Sequence, residues 1–385
     1  MFDGIYEENY YISMKKLIFS KFLLDNLNFF LIISITSTLI VWIIQAVNFL
    51  DFVTEDGHNF KIYMYFTLLN FPKIFSRVLP FVFFISLFYT LTKYENKNEL
   101  IIFWINGITR KTFINTIIIY SLFFLIFQIL LTTYIVPKSQ DKARSFIRSS
   151  NIDFFPSLIK EKKFIDTVEG LTIFVNKKEK NLLQNIFLKE STSGDEAQII
   201  YAKSGSIVNK NDLNFLILYE GEIINIDDKN ITKYSFEKTE LNLSKYTTKS
   251  TTFPKIQELK STSLFKCLKK ILTNNEFVEI KFLICNKDSL ISVNQELIKR
   301  FYAPFFIPLI ALIASILILK SKDSSNYSKF RIKVFLYVLS IIIFSEISLK
   351  YAGINKLSSL IFLLSPLIIF LINYILIFKK LTIAK

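Results

Sequence analysis

Histidine is nearly missing from this sequence: His58 is the only one. No His-based catalytic triad can be assembled around it, and no Gly-x-Ser-x-Gly occurs. A Cys/His zinc set needs four ligands at characteristic spacing, and none exists here, so no metal site is expected. Glycine is scarce, at 8 residues, and no Gly-x-x-x-x-Gly-Lys-Ser/Thr occurs. The chain therefore has no phosphate-cradling loop of its own. We expect no cofactor and no enzyme activity in this chain. Cysteine is limited to Cys267 and Cys285. A disulfide is open to them in an oxidising compartment, but their isolation favours reading them as two separate buried thiols.

What is abundant is apolar surface. Hydrophobic residues make up 51% of the chain, and Phe alone numbers 41. They gather into six runs in two groups of three: Phe29–Leu50, Tyr63–Leu91 and Phe113–Val136, then Phe301–Leu319, Val334–Leu349 and Leu360–Phe378. About 20 apolar residues cross a hydrocarbon core as a helix, so each run reads as a membrane span. Val334–Leu349 is the weakest, being short and carrying Glu346.

The net charge of +15 invites a nucleic-acid reading, but its distribution argues against one. Clusters such as Lys93, Lys97, Arg110 and Lys111, or Lys320, Lys322, Lys329, Arg331 and Lys333, lie in the short segments of one side. The short segments of the other side hold only Lys61, Lys350 and Lys356. The positive-inside rule then puts both termini in the cytoplasm and the long polar segment after the third span outside it. No cleavable signal peptide is read at the N-terminus.

That polar segment reads as β-structure, with strands at Leu171–Val175, Asn185–Lys189, Gln198–Ala202, Asn214–Tyr219, Glu222–Ile226 and Lys233–Leu243. Short strands at this spacing suggest a sandwich, jelly roll or open barrel. Its edge strands either pair with another β-protein or the domain is a lid. The expected layout is a 1–22 cytoplasmic or interfacial segment, spans one to three in 23–137, the β domain with connecting helices in 138–298, and spans four to six in 299–385.

The loop between spans two and three carries a short helix at about 98–107. Leu100, Phe103 and Trp104 form an apolar stripe, Glu99 suits the first turn, and Gly107 suits the C-terminal cap. Such a helix lies on lipid or inserts into a partner's groove. In span two, Lys73 and Arg77 share a face. Ionisable groups inside a span are costly and usually face a cavity, although snorkelling or a pair with Glu346 or Asp51 also accounts for them.

The whole chain resembles the LptF/LptG permease family. Phe71-Pro-Lys-Ile-Phe-Ser-Arg-Val-Leu-Pro80 is similar to the family's Pro-x7-Pro segment, and Asn98–Gly107 to its Ser-Glu-(apolar)-Gly coupling loop. Thr167–Val175 and Asn185-Ile-Phe-Leu188 resemble the first strands of its jellyroll, and the wording around Gln45–Asp51 is most like the LptF branch. The resemblance implies an α-helical membrane protein of six transmembrane helices with an inserted periplasmic all-β, jellyroll-like domain, in the bacterial inner membrane. It implies the permease subunit of an ABC transporter that extracts lipopolysaccharide and passes it to a periplasmic bridge toward the outer membrane. Implied partners are a homologous LptG-like permease in a heterodimer, a cytoplasmic LptB-like ATPase dimer, and a periplasmic LptC-like β-protein. Lipid would enter sideways between spans one and five. Glu99 carries over as the acid that contacts the ATPase, with Leu100, Phe103 and Trp104 as the face in its groove. Lys73, Arg77, Gln45, Asn48 and Asp51 are the substrate-cavity candidates. Enterobacterial relatives place cations near the outer end of span one, where this chain has Gln45, Asn48 and Asp51 instead.

Two other readings exist. A lipoprotein-release permease has four spans, and a membrane receptor needs a cytoplasmic output domain that these short segments do not supply.

Overall fold

The computed structural model describes residues 3–50, 53, 60–149, 159–168, 170–179, 182–191, 197–210, 213–227, 230–243, 255–272, 278–280, 283–285, 287–352 and 356–383. Asp51 and His58 lie outside them. Contacts divide the chain into two units, one of Met1–Trp42, Phe71–Gln140 and Lys255–Lys385, the other of Ile43–Asn70 and Asp141–Pro254.

Among the described residues, six helices are long and apolar enough to cross a membrane: Met14–Asn48, Phe60–Asn96, Arg110–Phe146, Ser289–Leu319, Tyr327–Tyr351 and Ser359–Thr382. All six expected spans coincide with these, the short Val334–Leu349 run included, and only the first overruns its helix, by two residues. By element, the first span is α1 (Asp3–Asn48) and the second is α2 (Phe60–Leu69) with α3 (Phe71–Asn96). A short α4 (Leu100–Ile105) precedes the third span, which is α5 (Arg110–Leu130), a π turn (Leu131–Ile135) and α6 (Val136–Ser149). After the β domain come α7 (Ser261–Leu272) and α8 (Lys287–Phe301), then α9 (Phe306–Ala314), α10 (Tyr327–Tyr351) and α11 (Lys356–Ile383).

The first unit is built around the fourth span. Every residue of α9 is buried, and α3, α5, α10 and α11 pack on it. The first span attaches through aromatic edges, Phe22 on Tyr94 at 5.1 Å and Phe30 on Phe124 at 4.8 Å. Its other face exposes Ile32, Ile35, Leu39 and Ile40, and α11 similarly exposes Leu367, Ile368, Leu371 and Ile372. Continuous faces of this kind suit hydrocarbon rather than water.

Prolines interrupt several spans, and at three of them a side chain supplies a donor for the freed carbonyl. Pro80 has no N–H for Ser76 O, which instead accepts from Gln128 Nε2 at 2.7 Å. Pro304 cannot donate to Arg300 O, which Thr132 Oγ1 of the π turn reaches at 2.9 Å. Pro366 in α11 leaves Phe362 O to Ser365 Oγ at 3.0 Å. Without such donors a backbone carbonyl in hydrocarbon would cost several kcal/mol.

Arg300 locks the start of the fourth span to the segment ahead of α7. It is 2% exposed. Its Nε donates to Glu296 Oε1 at 2.9 Å, Nη1 to Leu259 O at 2.8 Å, and Nη2 to Gln257 O at 2.9 Å. Beside it, Leu259, Leu264, Cys267, Val293 and Leu297 form a small apolar core between α7 and α8. Here the structure corrects the sequence reading: Cys267 is disulfide-bonded, not a separate thiol. The chain's other cysteine, Cys285, ends the short strand β8 (Leu283–Cys285), part of a hairpin with β7 (Val278–Ile280) that packs on α7. An eighteen-residue sequence separation hid this proximity, which only the folding of the hairpin onto α7 creates.

In the second unit, Tyr63 Oη donates to Ala46 O at 2.9 Å, and Tyr65 stacks on Phe146 at 5.2 Å. The β domain is one antiparallel sheet of β1 (Phe164–Val168), β2 (Leu171–Glu179), β3 (Leu182–Ser191), β4 (Ala197–Lys210), β5 (Leu213–Asp227) and β6 (Asn230–Asn242). The strands pair in sequence order, a meander without crossovers among the described residues. The two strands expected at Asn214–Tyr219 and Glu222–Ile226 are one, β5. The Glu220-Gly221 pair between the two expected strands is a bend within it, with Glu220 at φ 49°.

The bend crosses the whole sheet. Inward positions alternate by two along a strand, but at the bend they step by three: Leu183 to Ile186, Ala202 to Gly205, and Leu218 to Gly221. Ladder pairing skips Asn185, Lys203 and Glu220, with Asn185 at φ 50°. A Cβ on Gly221 would collide with the Tyr201 carbonyl and the Phe236 ring, so the strands approach this closely only because that residue is glycine. The slip keeps one continuous apolar face, including Leu171, Ile173, Val175, Leu188, Ile200 and Leu216, turned inward on both sides of the bend.

Maleimide labelling of the unfolded, unreduced protein should find no free thiol, and labelling after reduction should find two. Two labelled thiols before reduction would contradict the bonded state.

Candidate functional site

One of the two charged residues of span two, Arg77, lines a recess in the helical unit. Arg77 and Ser76 of α3, Gln128 and Thr132 of the third span, Lys299 of α8, and Ser345 and Glu346 of α10 line a cavity of about 80 Å³. Pro80, Pro304, Phe306 and Ile310 supply its apolar wall. Ligand pockets usually measure ~300–1,000 Å³, so this recess admits a single polar group or a few waters, not a lipid headgroup. Gln128 is 6% exposed, and while its Nε2 is used by Ser76 O, its Oε1 has no partner. An acceptor left bare in a buried polar recess is suited to a donor arriving from outside.

Of the sequence candidates, Arg77 lines this cavity together with Glu346, which the sequence had offered as its internal partner. Lys73 turns elsewhere, donating to Gln140 Oε1 at 3.2 Å. Gln45 and Asn48 stand on the last turn of α1 in the second unit, half-buried and exposed. Lys299 and Gln128 were missed. Lys299 reads as a polar flank of the fourth span, and Gln128 as one polar residue in an apolar run. The signal for Gln128 is a proline on the neighbouring span, Pro80, whose freed carbonyl requires a donor; Lys299 carries no such signal.

The second locale is α4. Two left-handed residues bracket it, Asn98 at φ 59° and Gly107 at φ 67°. Each makes a paired C-terminal cap of the same kind. Asn98 N donates to Glu95 O at 3.1 Å and Glu99 N to Tyr94 O at 2.8 Å, while Gly107 N donates to Trp104 O at 3.1 Å and Ile108 N to Phe103 O at 3.0 Å. Gly107 thus ends the helix as its residue type suggests.

The orientation of α4 differs from expectation. Leu100 and Phe103 are buried in this chain's own core, Phe103 against Phe19 at 5.4 Å and Phe113 at 4.9 Å. Trp104 is half-buried, edge-on to Phe113 at 5.8 Å, with the Arg110 guanidinium over its ring. These three are therefore not a free face. Outward stand Ile101, Ile102 and Ile105, the last 79% exposed, with Glu99 partly exposed beside them. All six residues of α4 are apolar, so both faces were candidates and periodicity could not choose.

A third feature belongs to the β domain. Cross-strand neighbours Phe164, Phe174, Phe187 and Tyr201 form an aromatic row on the face opposite the apolar core. Phe164 meets Phe174 at 4.7 Å and Phe187 meets Tyr201 at 5.2 Å. With residues of the bend they line a groove of about 870 Å³, within the size range of ligand pockets. At its rim Lys203 Nζ donates to Glu220 Oε2 at 2.8 Å, which holds the Glu220 carboxyl below its ordinary range and raises the Lys203 ammonium.

Comparison with known proteins bears on these sites. The family described as "Lipopolysaccharide export system permease LptF/LptG" matches residues 22–380. A curated relative, "Uncharacterized protein RP871" of Rickettsia prowazekii (strain Madrid E), is 22% identical over 193 residues, which are 50% of this chain and 53% of that protein. The match thus spans about half the length of each.

Replacing Gln128 with Leu should cost about 1–3 kcal/mol, because it strips the donor from the Ser76 carbonyl. Adding Pro80→Ala, which restores a backbone N–H, should recover most of that loss. Unfolding of the single and double variants in mild detergent measures the coupling, and strictly additive losses would separate the two residues.

Proposed function

Since this chain belongs to the LptF/LptG family of lipopolysaccharide export permeases, we propose that it is one of two homologous permease subunits paired in the inner membrane above a dimeric ATPase. Both termini face the cytoplasm and the bent β-sheet lies in the periplasm. The lysine and arginine bias of the short segments supports this orientation, and so does the bonded Cys267, because disulfides persist in oxidising compartments.

The observation that carries the reading is the charged recess. Arg77, Lys299 and Glu346 line one recess of a bundle fit to span a membrane, where ionisable groups usually face a cavity or pathway. The recess is too small for a headgroup but takes one group of it: a phosphate oxygen meets Arg77 and Lys299, and a hydroxyl donates to Gln128 Oε1. These cations replace those that relatives carry on span one. Lipid enters sideways between spans one and five and leaves upward. The meander is the jellyroll-like domain of such permeases, its groove of Phe164, Phe174, Phe187 and Tyr201 receiving apolar chains, and its edge strand passes cargo to an LptC-like β-protein.

At the cytoplasmic end, Glu99 and the outward Ile101, Ile102 and Ile105 face the ATPase, with Leu100, Phe103 and Trp104 anchoring α4 to its own bundle. ATP hydrolysis belongs to that LptB-like partner.

Purifying the tagged chain from its own membranes tests the assembly. A second six-span permease, an ATPase and bound lipopolysaccharide should come with it, whereas recovery of a well-folded chain alone would overturn the exporter reading. Within that complex, Arg77→Ala should lower lipid stimulation of ATP hydrolysis about tenfold, the scale of one lost charge-assisted hydrogen bond. Unchanged stimulation would make Arg77 structural. Ile102→Asp should leave the chain folded and weaken ATPase co-purification by about tenfold or more, as loss of one buried isoleucine implies. Full retention of the ATPase would move the contact off this face.

A further inference from the structure

We propose that Glu95 is a positioning residue that ties the α4 end of the second span to the loop between the fourth and fifth spans, so that a displacement of α4 is delivered to α10. The proposal rests on the exporter reading for the origin of that displacement, but the tie itself rests on geometry alone.

Glu95 sits on the last turn of α3. Its Oε1 accepts a hydrogen bond from Lys322 N at 2.7 Å. In return, Lys322 Nζ donates to Asn96 O at 3.1 Å. Each side chain thus binds the other segment's backbone, across 226 and 227 residues of sequence. Contacts to backbone fix a segment more firmly than a pair of mobile side-chain tips, because only one side chain per bond must be ordered.

Both ends of the tie are stiff. On one side, Asn98 N on Glu95 O and Glu99 N on Tyr94 O close the cap directly onto the start of α4. On the other, Ser324 N donates to Ser321 O at 3.1 Å and Tyr327 N to Ser324 O at 2.9 Å, two linked turns that run from the loop into the first residue of α10. Tyr327 is buried. From there α10 is an uninterrupted 25-residue helix that presents Ser345 and Glu346 to the charged recess. A push on α4 therefore meets a continuous line of short hydrogen bonds to the base of α10, and a tilt at that base moves Glu346 at the other end.

The test separates the acceptor from the charge. Glu95→Ala removes Oε1, whereas Glu95→Gln keeps a carbonyl oxygen in its place. Hydrogen exchange on the full chain in nanodiscs should show the Lys322 amide exchanging about tenfold faster in Glu95→Ala, the scale of one lost hydrogen bond to a charged acceptor. In Glu95→Gln, which keeps a weaker neutral acceptor, most of the protection should return. In the complex purified with its own partners and reconstituted, Glu95→Ala should keep ATP hydrolysis and bound ATPase but release about tenfold less lipid per ATP, with Glu95→Gln restoring release. Unchanged exchange in Glu95→Ala overturns the tie. Faster exchange with unchanged release per ATP overturns its role in transmission, and loss of the ATPase itself would make Glu95 a docking residue instead. If the parent complex neither hydrolyses ATP nor releases lipid, the exporter reading fails, and the exchange measurement still decides whether the tie exists.

Discussion

A backbone carbonyl inside a bilayer has no water to turn to, and much of this bundle's architecture follows from that constraint. Pro80, Pro304 and Pro366 each leave a carbonyl without its helical donor. Gln128 and Thr132, one turn apart on the same face of the third span, answer two of them, on the second and fourth spans respectively. Apolar side chains gain little by leaving lipid for one another, so helices in a membrane associate through close packing and bonds of this kind. The π turn at Leu131–Ile135 coincides with the point where Thr132 must reach Arg300 O. Such turns often accompany functional sites, and here it borders the charged recess.

The recess and the loop helix give the molecule two working ends. At one end, polar groups from four spans meet around an unsatisfied amide oxygen. At the other, a six-residue helix is fixed by left-handed residues on both sides and by aromatic packing beneath. Its rigidity matters more than its length, since a loose loop would absorb a push rather than pass it on. The β domain adds a bent wall whose aromatic row stands outside its own core.

Much of this was legible in the sequence. Six apolar runs and a β-rich insertion follow from period and length, and Gly107 announced a cap because few other residues accept its backbone angle. What escaped was whatever depends on which neighbour a residue meets. The run from Leu100 to Ile105 is apolar on every side, so nothing local says that Leu100 and Phe103 turn inward. Glu220-Gly221 separates two expected strands, and only its cross-strand neighbours make it a bend in one. Cys267 is brought to a bonding partner by a hairpin whose docking no local pattern encodes. Lys299 joins Arg77 only where the folded α3 and α8 line one recess, which neither segment's own sequence shows.

The central position of the fourth span bears on how the protein is made. The ribosome delivers the first three spans and then the whole meander before α9 emerges. The meander pairs each strand with the one just synthesised, so it can form as it appears, with little loop-closure cost. The helices cannot settle in the same way, because the surface that α3 and α5 share is a vacancy shaped for a segment not yet translated. A chain that stalls after the sheet therefore holds a finished β domain and an unfinished bundle, with Thr132 still without the Arg300 carbonyl that it binds in the complete fold. Membrane quality control that senses unpaired polar groups would recognise that intermediate, and its window closes when the fourth span arrives.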